Sequence, residues 1–173
     1  MPRKSVKENK SIYQIAREEL EYSREKVEEL LFAKISSDRL GKLENGKLQF
    51  RPEEIIWLSE IYSKPDLCNH YCSHDCEIGK EYVPEIKIKD LSQIVLEMLS
   101  SLNNVQEKQK RLIDITVDGK IDDEEIKDFI EIQRELEKIS ITVESLQLWT
   151  EKMLTSGAIN KDKYERIKNS ETL

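Results

Sequence analysis

SREKVEELLFAKISSDRLGKLENG, residues 23–46, reads as two short amphipathic helices around a tight turn. Ser23 is a natural N-cap for the first helix, and Val27, Leu30 and Leu31 form its apolar stripe. Glu25, with Glu28 or Glu29, favours its amino-terminal half through the helix dipole. Phe32–Ile35 makes the turn, with Ile35 as an apolar plug between the helices. The second helix starts at Ser36 or Ser37, runs through Leu40 and Leu43, and stops at Asn45-Gly46. Ser37, Asp38, Arg39 and Lys42 face outward. This is the layout of a helix-turn-helix, in which the second helix presents short polar and basic groups to the major groove.

The flanking sequence extends the pattern in both directions. A helix is expected from Ser11 to about Glu21, with Ile12, Ile15, Ala16 and Leu20 on one face. Pro52 opens another, PEEIIWLSEIY, at the first-turn position where proline is tolerated. Ile55, Ile56, Leu58 and Ile61 are expected to close a small core.

Composition agrees with an all-α protein. The chain is 36% charged and 6% aromatic, with five glycines and four prolines among 173 residues. No apolar run reaches the roughly 20 residues that span a bilayer. The first ten residues, MPRKSVKENK, are basic without an apolar stretch behind them, so no secretory signal is expected and the expected location is the cytoplasm.

The net charge of −7 is unevenly spread. Residues 1–64 hold 13 Lys/Arg against 12 Asp/Glu, a net of +1; the remainder holds 15 against 23, a net of −8. Residues 34–51 carry five basic groups against two acidic ones. A phosphate-facing surface must therefore be small and amino-terminal. Arg39 or Lys42 could reach a guanine edge, and Asp38 could accept from a cytosine amino group. Arg24, Asn45 and Lys47 are better placed for phosphates. The expected DNA-binding set is Arg24, Ser37, Asp38, Arg39, Lys42, Asn45 and Lys47.

Residues 10–64 also resemble a known family. ISSDRLGKLENGKLQFRPEEIIWLSEIY is similar to the recognition-helix region of Cro/C1-type (XRE family) helix-turn-helix regulators. The shared elements are Ser36–Ser37, Leu40, Leu43, Glu44-Asn45-Gly46, Pro52 and Ile55–Tyr62. The resemblance implies a lambda-repressor-like helical bundle that binds double-stranded operator DNA as a homodimer and controls transcription. The sequence departs from the family at Arg24 and at Val27 or Glu28, and Gly41 weakens the recognition helix by up to about 1 kcal/mol relative to Ala.

Residues 65–88 break the composition and read as a short helix and linker. The run CNHYCSHDC carries Cys68, His70, Cys72, His74 and Cys76. Cys68, Cys72, His74 and Cys76 have the donor types of a zinc site, but the three-residue spacers are not zinc knuckles; packing of one or two cysteines is the expected reading, with metal or redox sensing as the alternative. No base or oxyanion hole accompanies the thiols, so an enzyme is not expected and no cofactor is required.

Residues 89–173 read as a long antiparallel helical hairpin for dimerisation. Leu91, Val95, Met98, Leu102, Val105, Gln109 and Leu112 repeat at spacings of four and three. Phe129, Ile132, Leu136, Ile139, Val143, Leu146 and Met153 form the matching seam. Ile94, Leu99, Ile113, Ile126, Ile130, Ile141, Leu148 and Trp149 lie off it and must pack on the amino-terminal domain or on another chain, dimerisation being the preferred reading. Between the helices, Asp114 to Glu125 matches a calcium-loop template at several positions, yet a tight turn is the expected reading and calcium is not. The whole chain reads as a transcription regulator. The other readings are an interaction module on a degenerate helix-turn-helix, and a metal-responsive regulator.

Overall fold

A computed structural model describes residues 9–116 and 120–170. Every regular element among them is helical, and no helix there is long and apolar enough to cross a membrane. The chain forms two compact units: Met1–Glu85 with Leu154–Leu173, and Ile86–Met153.

The first unit is built from α1 (Ile12–Glu19), α2 (Arg24–Leu30), α3 (Ser37–Glu44) and α4 (Pro52–Tyr62). Serine caps open the first three. Ser11, Ser23 and Ser36 hydroxyls accept from the N–H groups of Gln14, Lys26 and Arg39 at 3.2, 3.1 and 3.3 Å. Pro52 takes the first turn of α4, and the Glu54 carboxylate folds back to accept from the Arg51 N–H at 2.9 Å. At the far end of α3, Gly46 turns left-handed at φ 69°, which lets the Lys47 N–H close on the Lys42 carbonyl at 2.9 Å.

These helices bury one cluster: Tyr13, Ala16, Val27, Leu31, Ile35, Leu40, Leu43, Ile55, Leu58, Tyr62 and Leu67. The inward face of α1 differs from the apolar stripe expected for it. Tyr13, Ala16 and Arg17 point inward, whereas Ile15 and Leu20 are exposed. The rotation brings Tyr13 against Phe50 (ring centroids 4.3 Å apart) and carries Arg17 to a buried carboxylate. Ile56 is likewise on the surface, because Ile55 and Leu58 already fill the inner positions of α4.

The expected linker is folded. α5 (Asp66–His70) runs into one π-helical turn, Tyr71–Asp75, and then into α6 (Glu77–Tyr82). Leu67 is fully buried in the main core. Asn69 donates to the Pro84 carbonyl at 3.0 Å, holding the end of this segment in place. α6 lies so close to the π turn that a Cβ on Gly79 would overlap the Cys72 carbonyl. α9 (Lys161–Ser170) is capped by Asn160, whose side chain accepts from the Lys163 N–H.

The second unit holds α7 (Leu91–Thr116) and most of α8 (Ile126–Thr155). Cross-helix bonds run Asn104 to Glu135, Lys108 to Glu131 and Arg111 to Asp128, at 3.1, 2.8 and 2.6 Å. Each step forward on α7 is a step back on α8, so the helices are antiparallel. The seam differs from the expected one. Ile94 and Leu148, expected off the seam, are buried with Ser101, Thr142 and Ser145. Of the residues expected on it, Ile132 is buried, whereas Leu91, Val95, Leu102, Leu136 and Val143 are 39–47% exposed. The polar cross-helix bonds set a facing register one residue away from the apolar repeat.

Candidate nucleic-acid interface

The turn joining α2 to α3 is strained. Phe32 and Ala33 both take left-handed backbone, at φ 49° and 58°, and Phe32 is 90% exposed. Three hydrogen bonds hold it, with the N–H groups of Phe32, Ala33 and Lys34 donating to the carbonyls of Glu29, Glu28 and Leu31. Ile35 then drops fully into the core. The Glu28 carboxylate accepts from the Ser37 N–H at 2.9 Å, so α2 supplies an acidic partner to the positive end of α3.

A buried ionic triad sets the positions of α1, α2 and α3. The Glu44 carboxylate has no exposed side-chain surface; it accepts from Arg17 Nε at 2.6 Å, Arg17 Nη2 at 3.0 Å and Arg24 Nε at 2.8 Å. Arg17 also donates to the Tyr22 carbonyl at 2.6 Å. Arg24, expected to meet a phosphate, spends its guanidinium on Glu44 and lies across Gly41, although its side chain keeps 35% exposure.

Arg39 is engaged too. Its Nε and Nη2 meet the two Glu54 oxygens at 2.6 and 3.1 Å, a forked pair linking α3 to α4. Burial works to raise the Glu54 pKa, but the Arg39 hydrogen bonds and the Arg51 N–H outweigh it and hold the carboxyl below its ordinary value. The same bond holds the Arg39 guanidinium above its ordinary value. Arg39 thus orients α3 more directly than it extends from it.

The remaining expected residues stay on the outer surface. Lys42 and Asp38 form an i,i+4 pair at 2.6 Å with side chains 51% and 79% exposed. Such a screened pair is worth only about 0.3–0.5 kcal/mol, so an incoming phosphate or base edge displaces it cheaply. Ser37 is half-buried at the start of the face. Asn45 donates to the Gly41 carbonyl at 2.6 Å from an exposed position, and Lys47 is exposed just beyond. Lys34 joins this edge, its ammonium 4.8 Å from the centre of the Trp57 ring. The sequence reading missed Lys34, Glu44 and Glu54. Lys34 alone had a local signal, its place in the basic run.

The sulfur and imidazole groups are gathered only in part. Cys68 donates to the Ser59 hydroxyl at 3.4 Å, and all three cysteines are half-buried free thiols. His70 and His74 stack at 4.3 Å, and His74 Nδ1 is 2.9 Å from the Ser73 hydroxyl. Burial, then the neighbouring His74, push His70 below its ordinary pKa. Burial, then Cys76 and Cys68, push the Cys72 thiol up, away from the thiolate a metal binds. Among the described residues no group of three or more His, Cys, Asp or Glu side chains is placed to hold a metal ion. In the calcium template, the Thr116 side chain and residues 117–119 lie outside the described residues.

Near the π turn, Tyr13 donates to Asp75 at 2.6 Å across 62 residues of chain. Burial and then that carboxylate raise the Tyr13 phenol well above its ordinary pKa, so it remains a donor. The contact ties α1 to the segment after α4. No family model, curated protein or solved structure matches the chain.

Proposed function

We propose that this chain is a sequence-specific DNA-binding transcription regulator of the Cro/C1 (XRE) helix-turn-helix type. In this reading it is not an enzyme, acts in the cytoplasm, and works as a homodimer, with the α7–α8 pair as its self-associating helical hairpin. One observation carries it. Val27, Leu31, Ile35, Leu40 and Leu43 are buried, while Ser37, Asp38, Lys42 and Asn45 stand on the outer side of the serine-capped α3.

The mechanism follows from that face. Lys34, Lys42 and Lys47 meet phosphates and release counterions, so affinity falls as salt rises. Lys42, Asp38 and Ser37 are the side chains positioned to read base edges. Arg39 and Arg24 hold α3 at its angle through Glu54 and Glu44.

The test is selection of duplexes bound by the full chain from a random pool, followed by binding to the selected site across a salt series. Lys42→Ala and Lys47→Ala are each expected to weaken binding and to reduce the salt slope by about 1. A folded chain showing no salt-sensitive binding to any selected duplex would leave the protein-interaction reading in its place.

A further inference from the structure

Polar pairs join α7 to α8 at Asn104–Glu135, Lys108–Glu131 and Arg111–Asp128, and Ile94, Ser101, Thr142 and Ser145 are buried in line with them. The helical line through these residues takes in 94, 97, 101, 104, 108 and 111 on α7 and 128, 131, 135, 138, 142 and 145 on α8. The apolar repeats lie one residue further along the chain on both helices. One residue is a rotation of 100°. Because the helices are antiparallel, the same step in sequence turns both repeats toward the same side of the pair.

That side carries no charge. Positions 91, 98, 105, 112, then 95, 102, 109, then 92, 99, 106, 113 on α7 hold no Asp, Glu, Lys or Arg. Neither do 129, 136, 143, 150, then 132, 139, 146, 153, then 126, 133, 140, 147 on α8. In a chain that is 36% charged, a solvated face would not be so empty. Leu91, Val95, Leu102, Leu136 and Val143 stand 39–47% exposed on it, while Ile132, at its edge toward α7, is buried.

We propose that a second copy of this chain covers this face, giving a four-helix dimer in which the apolar repeats of both copies form the shared core. The proposal rests on the self-association put forward above and not on DNA binding. Charge favours a like partner. Residues 86–153 hold ten Lys/Arg against fifteen Asp/Glu, a net of −5, and on both helices every charged position lies off the face. Two copies therefore meet without opposing like charges. Area agrees as well. A helix of 26 residues is about 40 Å long, and two helices side by side are about 20 Å wide. The face thus offers roughly 800 Å² per chain, the size of a stable protein interface. The pair also needs the added burial, since Ile94, Ile115, Ile132 and Leu148 are its only buried apolar residues among those described.

Light scattering and sedimentation equilibrium of the full chain test the idea, with helix content followed by circular dichroism. The wild-type chain is expected to be a dimer. Leu102→Lys and Leu136→Lys each remove a large exposed apolar group at the centre of the face. Each is expected to weaken dimerisation roughly 30-fold or more with helix content unchanged. Ser100→Lys, on the side away from the face, and Leu102→Met, which keeps an apolar group of similar size, are expected to leave the dimer intact. A monomeric wild-type chain overturns both this interface and the self-association it rests on. A dimer that survives both lysine substitutions overturns the interface alone.

Discussion

Glu44 shows how far one residue's role can depart from its neighbourhood in sequence. Read locally it belongs to the exit of α3; in the fold it is a buried carboxylate shared by Arg17 and Arg24. Removing one member of such a group leaves uncompensated buried charge, at a cost of about 3–5 kcal/mol. Glu44→Ala is therefore expected to lower the urea midpoint steeply or abolish the cooperative transition, and a loss below about 1 kcal/mol would contradict the triad's role. Glu54 makes a prediction about pH. Its folded pKa is depressed, so its stabilising contribution is present above the unfolded carboxylate value of about 4.3. It is lost as pH falls through the lower folded value. Denaturation between pH 6 and pH 3 should show a falling stability whose slope becomes shallower in Glu54→Gln. Arg17 and Glu44 lie 27 positions apart, and Arg39 and Glu54 lie 15 apart. No helical period links such pairs, which is why they could not be read from the sequence.

Helices are the level at which the sequence was most legible. Ser23, Ile35, Asn45-Gly46 and Pro52 act by local backbone chemistry, and each occupies its expected place. The segment 65–88 was not legible, because its helices are short and a π turn breaks their period. Two glycines separate local propensity from packing. At Gly41 a Cβ would sit 3.5 Å from the Arg24 guanidinium, an ordinary contact, so Gly41→Ala should raise stability by up to about 1 kcal/mol. At Gly79 the added Cβ meets the rigid Cys72 backbone, so Gly79→Ala should lower stability by about 1–3 kcal/mol despite the better helix propensity. Opposite shifts in thermal midpoint for the two variants check both statements. A stabilised Gly79→Ala chain would show that α6 does not pack on the π turn.

At the scale of the molecule, burial is unequal between the two units. The first has a continuous core of eleven buried residues, while the second buries Ile94, Ile115, Ile132 and Leu148 together with Ser101, Thr142 and Ser145. If a second copy completes the second unit, unfolding becomes linked to association. A hundredfold rise in chain concentration should then add about 2.7 kcal/mol per dimer, visible as a rising thermal midpoint. A midpoint independent of concentration would argue that the second unit is stable by itself.

By itself, the sequence determined the all-helical character, the limits of α2, α3 and α4, and the apolar repeats of α7 and α8. Caps, breakers and periodicity act within a few residues, so they are complete in the local sequence. Only the tertiary structure decided which face of α1 turns inward, which arginines are engaged by buried carboxylates, and which side of α7 meets α8. Those choices depend on pairing between groups far apart in the chain. Polar partners must be satisfied at a defined distance, whereas apolar stripes accept any surface that removes them from water. In α7 and α8 the polar pairs therefore set the register, and Leu91, Val95, Leu102, Leu136 and Val143 of the apolar repeats were left exposed.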